Sequence, residues 1–144
     1  MATERFHLCP RCGWRARAEP LFDSLRDVAR ARPRPCARCE TSTALHLSSP
    51  WGLGAGTYQW VVLDVFVPDE PVKWSDKTRR RVTFYPFLVV IEREGGRRHV
   101  WLPYWHVVRG EGKEQKKYGQ WAPWMELSTF KELVAKARRK GYLK

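Results

Sequence analysis

Apolar residues in the middle of the chain fall into runs rich in β-branched and aromatic side chains, separated by polar or proline-containing segments. The run from Tyr58 to Val67 is typical of a strand. A second run, VTFYPFLVVIERE at 82–94, predicts another strand region, in which Pro86 marks a bulge or an edge. The segment DEPVKWSDKTRRR at 69–81 is interpreted as a polar interruption between the two.

A hairpin is predicted next, because Gly95 and Gly96 form a tight-turn signal between two apolar runs. The strand ending near Glu92 is expected to pair with RRHVWLPYWHVV at 97–108, where Pro103 again marks an edge or a bulge. These patterns together predict a small antiparallel sheet of three or four strands.

Two segments have the spacing of amphipathic helices. The first, EPLFDSLRDVARAR at 19–32, places Leu21, Leu25 and Val28 at i, i+4 and i+7. The second, LSTFKELVAKARRKGYLK at 127–144, predicts a helix at the end of the chain.

Cap signals predict the ends of this second helix. Thr129 and Glu132 form a T-x-x-E capping box, with Ser128 as an alternative cap. Gly141 is the expected C-terminal cap.

The four cysteines form two C-x-x-C pairs, Cys9/Cys12 and Cys36/Cys39, separated by 23 residues. This spacing is typical of a structural zinc site, because both sulfurs of a pair can converge on one ion at about 2.3 Å. A thioredoxin-like motif needs one pair in a βαβ pattern, which is not found here. Disulfides need an oxidising compartment, and the N-terminus has no apolar run that predicts secretion.

The stretch CPRCG at 9–13 resembles the knuckle of zinc ribbons and rubredoxins, a resemblance that covers about the first 50 residues. It implies a zinc-ribbon-like module, with iron as the alternative metal. His7 and His46 flank the knuckles, but four thiolates already fill a tetrahedral site. We therefore expect structural Zn²⁺ rather than a catalytic ion, since a closed site has no position for water or substrate.

The formal net charge is +12, and a strongly positive protein attracts polyanions, of which nucleic acid is the most abundant. Residues 113–144 are the most basic part, with nine Lys and Arg against three Asp and Glu. The cations before Lys73 are all arginines, which suit phosphate contacts, although an arginine-biased genome gives the same pattern. The predicted surface for nucleic acid or a partner combines basic and aromatic residues: Arg79, Arg80, Arg81, Lys113, Lys116, Lys117, Tyr118, Trp121, Arg138, Arg139 and Lys140.

The segment KEQKKYGQWAPWM at 113–125 places lysines beside planar rings, the combination that single-stranded nucleic acid needs. Gly119 and Pro123 are expected to keep it from forming a regular element. Tyr118 and Trp121 are predicted to be exposed, and Trp124 to cover the sheet. The predicted core contains three other tryptophans: Trp60, Trp101 and Trp105.

Catalysis is not favoured, because the chain has no nucleophile elbow, P-loop or dinucleotide-binding fingerprint. Asp64, Glu92 and Lys73 suit a metal-dependent nuclease only if they converge at one end of a sheet. His99 and His106 are seven positions apart in the predicted strand, so they are expected on opposite faces unless a bulge at Pro103 re-aims one of them.

The predicted fold is α+β, with a four-cysteine zinc-ribbon-like module and inserted helix at 1–50, then an antiparallel sheet and C-terminal helix at 51–144. No stretch approaches 18 consecutive apolar residues, which predicts no membrane span and a cytoplasmic location. Two functions fit: a non-catalytic, zinc-stabilised module that binds DNA or RNA, and a subunit that binds a protein partner through exposed tryptophans.

Overall fold

Strands dominate the computed structural model, which describes residues 4–48, 59–75, 77, 80–93, 95–110, 112–119 and 122–143. Two helices accompany the strands in this part of the chain. In chain order the elements are β1 (Arg5–Leu8), β2 (Arg15–Arg17), α1 (Leu21–Ala29), β3 (Ala44–Ser48), β4 (Gln59–Phe66), β5 (Val72–Ser75), β6 (Arg81–Pro86), β7 (Leu88–Arg93), β8 (Arg98–Trp101), β9 (Tyr104–Gly110), β10 (Lys113–Tyr118), β11 (Trp124–Glu126) and α2 (Leu127–Arg139).

The strands form two antiparallel sheets. The larger has the order β11-β8-β7-β4-β3-β1-β2, and the smaller has the order β10-β9-β6-β5. The α+β class and the C-terminal helix are confirmed. The predicted hairpin is also present, since β7 pairs with β8 and Glu92 lies opposite Arg98.

The two prolines inside the apolar runs mark the points where the chain passes from one sheet to the other. β6 ends at Pro86 in the smaller sheet, and β7 begins at Leu88 in the larger one. The return crossing is at Pro103, between β8 and β9, and the Phe87 N–H donates to the Pro103 carbonyl at 2.9 Å. The prediction of a single small sheet was therefore wrong, because the runs at 82–94 and 97–108 each contain two strands, one in each sheet.

Two strands lie in segments that were predicted to be irregular. The interruption at 69–81 contains β5, and the lysine-rich segment contains β10. Both are edge strands of the smaller sheet. An edge strand pairs through its backbone on one side only, so its side chains need not show an apolar face.

Helix α2 begins earlier than its cap signals predicted. Its N-cap is Glu126, and no side chain caps the first turn, so the capping box of Thr129 and Glu132 does not form. The reason is that β11 pairs with β8 through Glu126 and the chain then passes directly into the helix. The predicted C-terminal cap is present: Gly141 has φ of 78°, and the Tyr142 N–H donates to the Ala137 carbonyl at 3.1 Å.

The core lies where α1 meets both sheets. Phe22 packs edge-on against Tyr85, Phe87 and Trp105 at centroid distances of 5.3, 6.0 and 5.5 Å. The same cluster of buried residues includes leucines of β3 and valines of β4 and β7. Of the predicted core tryptophans, Trp105 is buried, and Trp60 and Trp101 are partly buried against the cluster.

The boundary that separates residues 1–50 from 51–144 in the sequence prediction lies outside the described residues. On either side of it, β3 and β4 are neighbours in the larger sheet, with His46 opposite Val61. Neither helix in the described part of the chain is long and apolar enough to cross a membrane.

Replacing Phe22 by alanine is expected to lower the free energy of unfolding by about 3–5 kcal/mol, because the ring fills the contact between α1 and both sheets. Urea unfolding measures this. Leu133→Ala is the matched control, since Leu133 is 51% exposed on α2 and its truncation should change stability by about 0.5 kcal/mol or less. Equal effects of the two substitutions would contradict this view of the core.

Candidate metal centre

The four cysteine sulfurs lie together. The Sγ atoms of Cys9 and Cys39 are 3.5 Å apart, as are those of Cys12 and Cys36, and Cys39 is 3.8 Å from Cys12. All four atoms lie within 4.8 Å of one another. In the described part of the chain this is the one group of three or more His, Cys, Asp or Glu side chains close enough to hold a metal ion.

These distances fit a tetrahedral metal site. Four sulfurs at about 2.3 Å from one ion are separated from one another by about 3.8 Å. The spacing is also much longer than the ~2.05 Å of a disulfide bond, and the cysteines are free thiols. The sulfurs are thus arranged to coordinate a metal ion.

The two cysteine pairs are held by matching backbone turns. In the first turn the Gly13 N–H donates to the Cys9 carbonyl at 3.0 Å, and the Cys9 N–H donates to the Trp14 carbonyl at 2.8 Å. In the second, Glu40 and Cys36 form the equivalent bond at 2.9 Å, and the Cys36 N–H donates to Thr41 at 2.9 Å. Each turn is closed by a residue in the left-handed region, Gly13 with φ of 70° and Glu40 with φ of 58°.

Strand pairing brings the two turns to the same place. β1 leads into the first turn and β3 follows the second, and these strands pair so that Leu8 lies opposite Ala44. β2 returns from the first turn along β1, with Arg15 opposite Leu8. An isolated bridge between Pro35 and Ser42 closes the second turn.

Polar groups lie close to two of the sulfurs. The Cys39 Sγ lies 3.4 Å from the Thr41 hydroxyl oxygen, and hydrogen bonding with the side chain and the backbone of Thr41 lowers the pKa of Cys39 to about 6. The Arg38 N–H donates to the Cys36 Sγ at 3.3 Å.

Cys12 is affected in the opposite sense. A backbone hydrogen bond at Trp14 lowers its pKa, but desolvation and the three neighbouring sulfurs outweigh it and raise the pKa to about 12. Four thiols at this spacing cannot all ionise without a cation among them, so metal binding releases protons.

The two flanking histidines stay outside the cluster. His46 stacks on Phe6, with ring centroids 5.2 Å apart and an angle of 13° between the planes. Burial lowers the pKa of both His7 and His46, which favours their neutral forms. The sequence prediction did not include the groups that support the sulfurs, Arg38 and Thr41; the parallel between CPRCGW and CARCET was the available signal.

The predicted basic surface is divided among several elements. Arg79 and Trp121 lie outside the described residues. The remaining members are exposed and lie in three places: Arg80 and Arg81 at the start of β6, Lys113, Lys116, Lys117 and Tyr118 on β10, and Arg138, Arg139 and Lys140 at the end of α2.

The residues on β10 point to two sides of the smaller sheet. Lys116 turns toward α1, where its Nζ is 3.9 Å from Asp23 and 5.2 Å from the centre of the Phe22 ring. Tyr118 is on the same side, with its ring 5.1 Å from that of Trp105, and burial raises its pKa to about 12. Lys113 and Lys117 alternate with these residues and lie on the opposite face.

The possible nuclease cluster is not assembled. Lys73 is on β5 of the smaller sheet, whereas Asp64 and Glu92 are on strands of the larger one. The Glu92 carboxylate accepts a hydrogen bond from Arg98 at 3.2 Å, and the Asp64 carboxylate accepts one from the Val65 N–H at 2.8 Å.

The histidine pair is also separated, but not as the sequence predicted. His99 is buried on β8 of the larger sheet, and His106 is on β9 of the smaller one. The expectation of opposite faces of one strand was wrong because the chain changes sheet at Pro103.

Comparison of the chain with protein-family models, with curated proteins and with solved structures found no match. Function is therefore inferred from the geometry and the charge of the molecule.

The left-handed backbone at Gly13 and Glu40 predicts that removing glycine at residue 13 lowers stability, whereas introducing glycine at residue 40 does not. Gly13→Ala should destabilise the metal-loaded protein by about 1–2 kcal/mol, because a Cβ is unfavourable at this φ. Glu40→Gly removes that strain and should be neutral or slightly stabilising, within about 0.5 kcal/mol. Ala37→Gly is the control in the same turn, since Ala37 lacks a positive φ and glycine there should cost about 0.5–1 kcal/mol. Equal losses at residues 37 and 40 in urea unfolding would show that the turn is not strained.

Proposed function

We propose that this chain is a zinc-stabilised, non-catalytic module that binds nucleic acid, with a zinc-ribbon-like metal site. The observation that carries the proposal is the group of four Sγ atoms within 4.8 Å of one another at the tips of two matching turns, in a chain with a net charge of +12. Zinc is favoured over iron by the spacing of the cysteines in the sequence.

A structural role follows from the donor set. Four thiolates complete a tetrahedron, so no coordination position is left for water or a substrate. Binding of the ion then contributes directly to folding, because turns this short cannot hold four sulfurs together without it.

The purified protein is expected to contain one zinc ion per chain, measured by elemental analysis. Cys9→Ser and Cys36→Ser should each remove it and expose the N-terminal turns to proteolysis, because the binding free energy of the metal is folding free energy. The mutation Thr41→Ala is the milder control: it removes a hydrogen bond to Cys39 and should weaken zinc binding without abolishing it. A metal-free protein with intact turns would disprove the zinc site. One iron ion per chain would show that the site binds iron instead of zinc.

The charge supports a polyanionic partner. A zinc ion with four thiolates carries a net charge of about −2, which offsets part of the positive charge of the N-terminal region. The exposed cations of β6, β10 and α2 are far more numerous than the acidic residues of these elements. Phosphate contacts by such side chains give affinity without requiring a particular base sequence.

Binding to DNA or RNA is expected to weaken steeply with salt, by about 0.7 to 0.9 in log K per phosphate contact for each unit of log salt. Replacing Lys113 and Lys117 together by glutamine should reduce this slope by about that amount per lysine. Lys131→Gln is the control that should leave the slope unchanged, because this exposed residue follows the first turn of α2 and lies outside the predicted binding surface. An affinity that does not depend on salt would exclude phosphate contacts and favour a protein partner.

A protein-binding subunit is the second candidate, supported by a group of exposed apolar residues in the second half of β4 and directly after it. Leu63, Phe66 and Val67 are 42%, 53% and 44% exposed. The bulge between Val62 and Asp64 turns part of this segment away from the core.

A further inference from the structure

One face of the smaller sheet carries a cluster of aromatic rings. Trp74 of β5, Phe84 of β6, and Tyr104 and His106 of β9 lie on the side facing away from α1, because they alternate with the residues that pack against it. Their ring contacts confirm the shared face: Phe84 is 5.9 Å from Trp74, 5.4 Å from Tyr104 and 5.2 Å from His106.

The four rings are partly exposed, and their contacts with one another are tilted or edge-to-face. The Tyr104 ring also packs against the backbone of Gly119. Trp74 is 42% exposed, and the other three are half-buried. The planes of Trp74 and Phe84 meet at 54°, and those of Phe84 and His106 at 52°. In contrast, Phe6 and His46 lie nearly parallel in the larger sheet and cover each other.

Positive charge borders this face. Lys117 lies directly opposite His106, and Lys113 lies opposite Gly110. The Arg80 side chain lies over the backbone of Gly110, with its Cγ 2.8 Å from where a Cβ would be. Among the described strand residues of this face none is acidic, since Glu114 is on the other side and bonds to Arg109 at 2.7 Å.

We infer that this face, with Trp74, Phe84, Tyr104 and His106 as its platform, binds single-stranded nucleic acid by stacking unpaired bases on the rings. The inference rests on the proposed function and specifies its site and ligand class. The lysines on β10 contact the phosphates. Duplex nucleic acid is expected to bind this face less well than a single strand, because paired bases are stacked on each other and do not present their faces to a protein.

The basic residues on β10 then have two different roles. Lys113 and Lys117 belong to the binding face, whereas Lys116 and Tyr118 pack against α1 and Trp105 on the inner side. Trp74, which lies in a segment predicted to be an interruption, becomes the most exposed ring of the site.

The test uses the full-length, zinc-loaded protein and fluorescence anisotropy with a labelled oligothymidylate of about 15 nucleotides, close to the upper site size of small single-strand binders. A duplex of equal length is measured in parallel. Trp74→Ala should weaken binding to the single strand by about five- to 150-fold and affect the duplex much less. Trp74→Phe should restore most of the affinity, because a ring is again present.

Phe66→Ala is the matched control, since Phe66 is a 53% exposed aromatic residue on a strand of the other sheet. Thermal melting of each variant distinguishes a loss of binding from a loss of folding. Trp74→Leu is a second control, because leucine still covers the sheet with an apolar side chain but offers no ring for stacking.

The outcomes are distinct. If Trp74→Ala and Trp74→Leu bind the single strand as tightly as the wild-type protein does, the stacking site is overturned but nucleic-acid binding is not. If polyglutamate competes for the protein as well as unlabelled oligonucleotide does, the stacking site is also overturned, but polyanion binding is not. Wild-type protein that binds neither strand nor duplex overturns the proposed function as well.

Discussion

The pairing of β1 with β3 is the interaction on which the cysteine cluster and the larger sheet both depend. It joins the strand that precedes the first cysteine turn to the strand that follows the second, with Leu8 opposite Ala44. The same β3 pairs on its other side with β4, which continues the sheet to β7, β8 and β11. One strand thus fixes the distance between the two cysteine pairs and attaches them to the rest of the molecule.

Helix α1 connects the cysteine cluster with the smaller sheet. It begins and ends between the two cysteine pairs, yet its Phe22 ring packs against Tyr85 and Trp105 of β6 and β9. Those strands carry Phe84, Tyr104 and His106 on their other face. The position of the helix therefore links the cysteine turns to the sheet that bears the exposed rings.

Local signals in the sequence predicted local features well. The cysteine spacing identified the group of sulfurs, and the glycine pair identified the β7–β8 hairpin. The sequence could not reveal that Pro86 and Pro103 are crossings between sheets, because proline also occurs at bulges and at edges of a single sheet. The sequence also could not reveal β10, because this edge strand, KEQKKY, lacks the alternation of apolar and polar residues that predicts a strand. The capping box failed for a tertiary reason: β11 holds Glu126 in the sheet up to the first helical residue.

The lysines on β10 have a consequence beyond any ligand. β10 is an edge strand whose outer backbone groups do not pair within its sheet, and each of its side chains is exposed. A bare edge of this kind can recruit the edge of a second molecule and start edge-to-edge polymerisation. Three lysines in six residues, at positions 113, 116 and 117, make such an approach repulsive between identical chains. The composition of this strand therefore disfavours the self-association that an exposed sheet edge otherwise permits.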